Sequence, residues 1–315
     1  MRGPSSLFGV VAVSLALVLT LAGCSSERPA SGPTGPATVS LTPAADDLIA
    51  RTGDYYVQQQ SLQSAEDTLT DSCIDAAGFT LPASTPSPVS RDEEWRPDPA
   101  ERSRNGYGLL AEAQDQASGT AAPDPTDEYI RTLPVVRQQE YHAALFGPAN
   151  TNGTLALGGQ SFTFATRGCV AQARTRIYGN DTVATRVYYL PQIYYVQLLT
   201  KVHTESAYAI AMTGWSACMR QSGYSYSNPQ DAKSQLLSRY RTDSGAAATA
   251  ATQKLEITIA VADGQCANRV GLGSTTEALL RAAAAALPAA DRTALNQVAA
   301  TRTTSAQRAT TLTGR

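Results

Sequence analysis

Acidic side chains next to an indole ring are the residues of this sequence best suited to catalysis. Three acids, Asp92, Glu93 and Glu94, directly precede Trp95. Glu140 is a further candidate acid in a later segment. Glycoside cleavage needs two carboxyl groups roughly 5–10 Å apart, one with a raised pKa, and an indole can stack on a sugar. The same residues suit a solvated acidic loop, and we favour that interpretation and predict no catalytic residue.

Other active-site motifs are incomplete. The string nearest to a G-x-S-x-G nucleophile elbow is GGQSF at 158–162, which lies inside a predicted hairpin. The two histidines, His142 and His203, are far apart on predicted helices and do not form H-E-x-x-H. Half a dinucleotide fingerprint occurs at 106–111, but no strand precedes it. The sequence therefore predicts no metal and no cofactor.

A dense tyrosine run occupies residues 188–195, YYLPQIYY. Tyrosines at this density can form a recognition patch, because each ring buries area and keeps a polar tip. At helical spacing, Tyr188, Tyr195 and Val202 also suit a stripe that faces the core, and we favour core packing while keeping the patch as a hypothesis. The candidate binding patch consists of Tyr188, Tyr189, Tyr194, Tyr195 and Trp95.

Four of the five cysteines are expected to form two disulfides. An even number of cysteines in an exported chain is typical of disulfide bonds, and four allow three connectivities. Cys73 and Cys218 each precede Gly-aromatic by five positions, which is typical of a helix end, and each is followed by one more cysteine. We favour Cys73–Cys169 and Cys218–Cys266. A zinc site is disfavoured because no C-x-x-C pair occurs.

The N-terminus has the pattern of an export signal. A basic residue, Arg2, precedes an uncharged apolar run from Leu7 to Leu21, which is too short for a typical spanning helix. The string LAGC at 21–24 resembles a bacterial lipobox. That resemblance implies cleavage after Gly23 and a diacylglyceryl group, with palmitate-type acyl chains, on the thiol of Cys24. An ordinary secretory signal with an incidental cysteine is the alternative.

Residues 24–43 are rich in Ser, Pro, Gly and Thr, and they are expected to form a flexible tether. Two acyl chains hold a protein stably on a bilayer, so the predicted location is the outer face of the bacterial cytoplasmic membrane. The chain carries 25 basic and 27 acidic side chains, a net charge of −2. This balance excludes nucleic-acid binding by bulk charge.

Apolar spacing and stop signals predict a mainly α fold. We expect an irregular helical domain with two weakly similar halves and one small β-hairpin insertion, the hairpin turning at Gly158-Gly159. The segment that begins near Pro82 and includes residues 104–113 contains five prolines in its first part and is expected to be loop-rich. Helices are predicted over 44–77 with a break near Gly53, up to Gly147 with a restart at Pro134, at 168–178, 191–203 and 205–222, after the Asn228 cap, and over 255–270 and 282–287.

The domain prediction has four parts. They are a signal peptide (1–23), the lipidated tether (24–43), a helical extracytoplasmic domain (44–300, with halves 44–180 and 181–300) and a polar tail (301–315) that frays.

Several strings resemble a group of uncharacterised cell-surface lipoproteins of high-GC Gram-positive bacteria. The strings are RNGYGL, YHAALFGP, GCVAQARTRIYG, WSACMRQSGYSYSNP and IAVADGQC, and they span roughly residues 60–270. The resemblance implies export, lipid anchoring and a helical fold. It brings no activity and no catalytic residues.

These observations favour a lipid-anchored envelope protein that serves as a binding or scaffolding module. Its expected partners are the membrane, through the lipid, and a cell-wall glycan or an envelope protein. The alternative is a cell-wall hydrolase that uses the carboxylates near Trp95. A solute-binding transporter subunit is disfavoured because two lobes of alternating strands and helices are not indicated.

Overall fold

The N-terminal part of the chain folds into six helices and one β-hairpin among its described residues. The computed structural model describes residues 39–82, 89–118, 125–243 and 245–314, so the predicted signal peptide (1–23) and Cys24 lie outside the described residues. The Thr42 side chain caps the N-terminus of the first helix, and Pro43 is the first residue of that helix. The elements are α1 (Pro43–Ala50), α2 (Tyr55–Ala76), α3 (Pro99–Asn105), α4 (Leu109–Ser118), α5 (Pro125–Thr132), α6 (Val135–Phe146), β1 (Asn152–Leu157) and β2 (Gln160–Ala165).

All of the described elements in the C-terminal part of the chain are helices. Asn228 accepts a hydrogen bond from the amide of Asp231 and caps α10 as the sequence predicts. These elements are α7 (Gly168–Tyr178), α8 (Asp181–Val202), α9 (Ser206–Gln221), α10 (Pro229–Thr242), α11 (Ala246–Arg269), α12 (Leu272–Ala285) and α13 (Ala289–Thr313). The mainly α prediction with one β-hairpin is confirmed.

The hairpin turns at the predicted glycines. Strands β1 and β2 pair antiparallel with Leu157 opposite Gln160. Gly158 and Gly159 both have positive φ, which a two-residue turn of this kind requires. The hairpin lies against α8, where Phe162 stacks on Tyr189 with ring centroids 4.1 Å apart.

Two local predictions are wrong. The segment expected to be loop-rich contains α3 and α4. Helix α3 forms because Asp98 accepts from two backbone amides and Pro99 takes the first helical position. Helix α8 begins at Asp181 rather than at 191, and it runs through Pro191. Pro191 is buried, so the free energy gained by packing this long helix outweighs the cost of the backbone hydrogen bond that proline removes.

The predicted boundaries at both ends of the domain also need correction. The tail 301–315 was expected to fray, but α13 continues to Thr313 and buries Ser305 and Ala309. Small residues recur along one face of α13, and that face packs against α1, α2 and α8. At the other end, the Asn296 amide donates to the Ser40 carbonyl, so the described end of the predicted tether lies on α13.

The halves 44–180 and 181–300 resemble each other locally but do not pack separately. Gly78 and Gly223 have positive φ, and the next amides, of Phe79 and Tyr224, donate to carbonyls five residues back. The two cysteine helices therefore end in the same way. Helix α2 nevertheless packs on α13, α3 on α11 and α4 on α10, and residues from Val39 onward form one compact unit.

Both favoured disulfides are confirmed. Cys73–Cys169 joins α2 to α7, and Cys218–Cys266 joins α9 to α11. They close separations of 96 and 48 residues, so each removes considerable loop entropy from the unfolded chain.

A buried carboxylate on α11 connects three parts of the fold. Asp263 accepts from Arg102 Nη1 at 2.6 Å, from the Tyr107 hydroxyl at 2.8 Å and from Trp215 Nε1 at 2.7 Å. Asp263, Arg102 and Trp215 are all fully buried. The ion pair with Arg102 and the two further hydrogen bonds offset the free-energy cost of removing this carboxylate from water.

A second buried carboxylate lies two turns earlier on α11. Glu256 accepts from the amides of Tyr107 and Leu109 at 2.8 and 2.9 Å and from the Tyr240 hydroxyl at 2.6 Å. Leu109 begins α4, so the negative charge lies at the favourable end of that helix. The glycine-rich string 106–111 therefore forms a turn and the first residues of α4, and two of its amides bind the Glu256 carboxylate.

We predict that Gly106→Ala destabilises the protein more than Gly108→Ala. Both glycines have positive φ, which costs a residue with a Cβ about 1–2 kcal/mol. A Cβ on Gly106 would lie 2.8 Å from Glu256 Cγ, whereas one on Gly108 meets no atom within 4 Å. Urea unfolding should show a loss for Gly106→Ala about 1 kcal/mol or more beyond that for Gly108→Ala. Equal losses would contradict the close approach of Glu256.

We also predict that each disulfide stabilises the domain. Loop entropy gives a loss of roughly 4 kcal/mol in the free energy of unfolding for Cys218→Ala/Cys266→Ala. The doubled separation makes the loss for Cys73→Ala/Cys169→Ala about 0.6 kcal/mol larger. Denaturant unfolding of the oxidised protein and both double variants measures this. A loss below about 1 kcal/mol for either pair would contradict its stabilising role.

Candidate functional site

The Trp95 loop, residues 91–98, places its indole inside the protein. Trp95 is 2% exposed, and its Nε1 donates to the Tyr195 hydroxyl at 3.0 Å. Tyr195 is itself buried, and burial followed by the charge of Glu93 raises its pKa to about 12. The phenol therefore stays protonated and donates to Glu93 at 3.2 Å. Two members of the predicted binding patch, Trp95 and Tyr195, are thus core residues, and that part of the prediction is wrong.

The other tyrosines of the run differ in exposure, and Tyr188 and Tyr189 lie edge-on with ring centroids 4.8 Å apart. Tyr188 is 54% exposed, whereas Tyr189 stacks on Phe162 and Tyr194 is partly buried. Burial and the nearby Asp291 raise the pKa of Tyr194 to about 12. One continuous helix, α8, carries the whole run, so successive rings point in different directions around it.

Glu93 is held by three donors. It accepts from Arg51 Nη1 at 2.8 Å and from the hydroxyls of Tyr56 at 2.9 Å and Tyr195 at 3.2 Å. Its side chain is 13% exposed. A carboxylate with this set of partners supports the loop and is poorly placed to protonate a sugar.

The remaining candidate acids also have basic partners. Asp92 accepts from Arg102 Nε and from the Asp98 amide, both at 2.7 Å. Glu94 lies 3.8 Å from Lys233 Nζ. Glu140 pairs with a neighbour on its own helix, Arg137, and it lies on α6 beside the smaller of the two hydrophobic clusters. The structure shows no contact between Glu140 and the acids of the Trp95 loop.

The two histidines pack against tyrosines. His142 lies edge-on to Tyr141 with ring centroids 5.7 Å apart, and His203 lies 4.6 Å from Tyr208 at the end of α8. Within the described ranges, no three His, Cys, Asp or Glu side chains are close enough together to hold a metal ion. None of the described helices has both the length and the apolar character needed to cross a bilayer.

Sequence reasoning missed a surface cleft that the Trp95 loop forms with the turn between α1 and α2. The cleft has a volume of about 450 Å³, and we call it the basic cleft. Three arginines line it, Arg51, Arg91 and Arg96, together with Tyr56 and Asp98. These arginines lie in two short segments 40 residues apart. Neither segment contains a motif that indicates a basic cleft.

Arg51 occupies a strained position at the floor of this region. It is one of two described non-glycine residues with positive φ, at 51°, where it ends α1. Its guanidinium lies 3.6 Å from the Tyr195 ring centroid and donates to Gln192 at 2.8 Å. Burial acts to lower the pKa of Arg51, but Glu93 and the tyrosines outweigh it, so the pKa is raised. These contacts hold the side chain in one position despite the backbone strain.

The other two arginines surround Tyr56. Arg96 Nη2 donates to the Arg51 carbonyl at 2.5 Å and lies 3.5 Å from the Tyr56 hydroxyl. Arg91 is exposed, with its guanidinium 5.8 Å from the Tyr56 ring centroid, and no carboxylate of the described residues pairs with it. Guanidinium groups present planar forks of donors, so the basic cleft suits an anion such as a carboxylate or a phosphate.

Comparisons with known proteins give no indication of function. No protein-family model, no curated protein and no solved structure matches the chain.

Proposed function

We propose that this protein is an exported, lipid-anchored binding module on the outer face of the bacterial cytoplasmic membrane. Its proposed ligand is an acidic cell-wall glycan, held in the basic cleft. The proposed location is based on the apolar N-terminus and on the LAGC string ending at Cys24. Two disulfides support it, since such bonds persist in oxidising compartments.

The observation that carries the binding role is an open cleft lined by three arginines. Arg51 and Arg96 are paired with Glu93 and Glu277, whereas the exposed Arg91 has no carboxylate partner among the described residues. Arg51 and Arg96 are fixed by contacts to Glu93, Tyr195 and the α1 carbonyl end, so little side-chain entropy remains to be lost on binding. Arg91 is exposed and can reach a ligand. A fixed pair beside an exposed third group suits a repeating acidic polymer better than a single small ion.

The hydrolase alternative has weaker support. Glycoside cleavage needs two carboxyl groups facing one substrate, one of which must donate a proton. Asp92 and Glu93 instead face Arg102 and Arg51, at 2.7 and 2.8 Å. Through those contacts, both acids hold the Trp95 loop in place. This structural role explains the two carboxylates without catalysis.

We predict that Arg91→Glu weakens binding to insoluble cell walls of a high-GC Gram-positive bacterium by about fivefold at low salt. Reversing one exposed charge changes a surface ion pair by about 1 kcal/mol, and the effect should shrink above 0.5 M salt because of screening. Co-sedimentation of the detergent-extracted full-length protein measures it. Arg186→Glu is the matched control, because Arg186 is exposed in the second turn of α8 outside the basic cleft.

Equal binding by both variants and the parent protein would contradict the role of the basic cleft. Release of soluble sugar fragments from the same cell walls, lost on Glu93→Gln with the fold intact, would instead establish the hydrolase alternative.

A further inference from the structure

A second cavity lies between α1, α2 and α13, and we call it the inner cavity. Its volume is about 250 Å³. Ala44, Leu48, Tyr55 and Ala299 give it apolar walls, and Arg302 lines it as well. It shares no lining residue with the basic cleft, so binding at the two places can be measured independently.

Arg302 is a buried cation without a carboxylate partner among the described residues. It is 5% exposed. Its Nη2 donates to the Tyr55 carbonyl at 3.1 Å and to Gln59 Oε1 at 2.9 Å, and the guanidinium lies 4.9 Å from the Tyr55 ring centroid. Its Nε is buried and has no hydrogen-bond partner within the described part of the chain.

Comparison with a second buried arginine, Arg102, shows that the lack of a carboxylate partner among the described residues distinguishes Arg302. Arg102 is equally inaccessible, yet it pairs with Asp92 and Asp263 at 2.7 and 2.6 Å. A buried charge without such partners costs several kcal/mol. Burial accordingly lowers the pKa of Arg302, whereas the pKa of Arg102 is raised because its carboxylate partners outweigh its burial. An anion in the inner cavity would give Arg302 the counter-charge that Arg102 already has.

The exposed rim of the inner cavity has the opposite charge. Asp47 and Asp54 both line it. Asp47 is engaged by Thr52 at 2.6 Å and Arg281 at 3.2 Å, but Asp54 is exposed and caps no backbone amide of α2. A ligand with negative charge alone would meet repulsion at this rim. A ligand with an additional cationic group would be attracted to Asp54 while its anionic group reached Arg302.

We propose that the inner cavity binds a small zwitterion of the α-amino acid class. Its carboxylate would accept from Arg302, and its ammonium group would face Asp54. A volume of about 250 Å³ equals roughly eight water volumes of about 30 Å³, which accommodates a neutral amino acid and excludes a large ligand. The apolar walls formed by Leu48 and Ala299 would contact an aliphatic side chain.

Isothermal titration of the detergent-extracted full-length protein tests this proposal. The probes are both enantiomers of alanine, serine, valine and threonine. Isovalerate, which is valine without its amino group, and isobutylamine, which is valine without its carboxylate, are the matched controls. We expect saturable binding of at least one amino acid. For valine, we expect affinity at least about tenfold above that of either control, since one charge contact of about 1.4 kcal/mol is lost in each.

Two variants assign the contacts. Arg302→Met removes the buried charge with an apolar side chain of similar length, so the fold should be retained, and it should weaken amino-acid binding at least tenfold. Asp54→Asn alters an exposed residue and should weaken the amino acids, whereas isovalerate should bind at least as tightly as before because the repulsion from Asp54 is removed. The proposal is overturned if no amino acid binds, if Arg302→Met binds as well as the parent, or if isovalerate binds as tightly as valine. In those cases Arg302 is a hydrated structural residue or an anion site of another class.

Discussion

The buried contact between Asp263 and Arg102 is the constraint on which much of this fold depends. Asp263 lies on α11, Arg102 on α3, and the third partner, Trp215, on α9. None of them is accessible to water. Removal of one partner from such a pair leaves an uncompensated charge in the interior, typically at a cost of about 3–5 kcal/mol. Glu256, two turns away on the same helix, fixes the start of α4 in a similar way.

From this contact a chain of ion pairs leads to the surface. Arg102 also binds Asp92 in the Trp95 loop, and the adjacent Glu93 binds Arg51. Two of the acids that suggest catalysis in the sequence, Asp92 and Glu93, are therefore supports of the basic cleft. Because these supports are buried or half-buried, they hold the guanidinium groups in place with little screening by salt. The binding role proposed for the basic cleft rests on this preorganisation.

Local signals predicted most helices, the hairpin and the disulfides, because caps, positive-φ glycines and helix ends depend on neighbouring residues. Contacts between distant residues were beyond such signals. The sequence leaves open whether Trp95 and Tyr195 belong to a surface patch or to the core, and the structure buries both and joins them by a hydrogen bond across 100 positions. The polar composition of α13 suggested a frayed tail, but Arg302 within it is buried against α2. Pairing between remote charges leaves no periodicity in the sequence, so neither the basic cleft nor the inner cavity could be predicted.

The proposed role depends on a domain that works outside the cell while a lipid on Cys24 retains it at the membrane. Intact-mass spectrometry of the native protein, extracted from membranes with detergent, tests this most directly. The account predicts a polypeptide that begins at Cys24 and carries the added mass of a diacylglyceryl group on that residue. A chain that retains residues 1–23, or one with an unmodified thiol at Cys24, would contradict it.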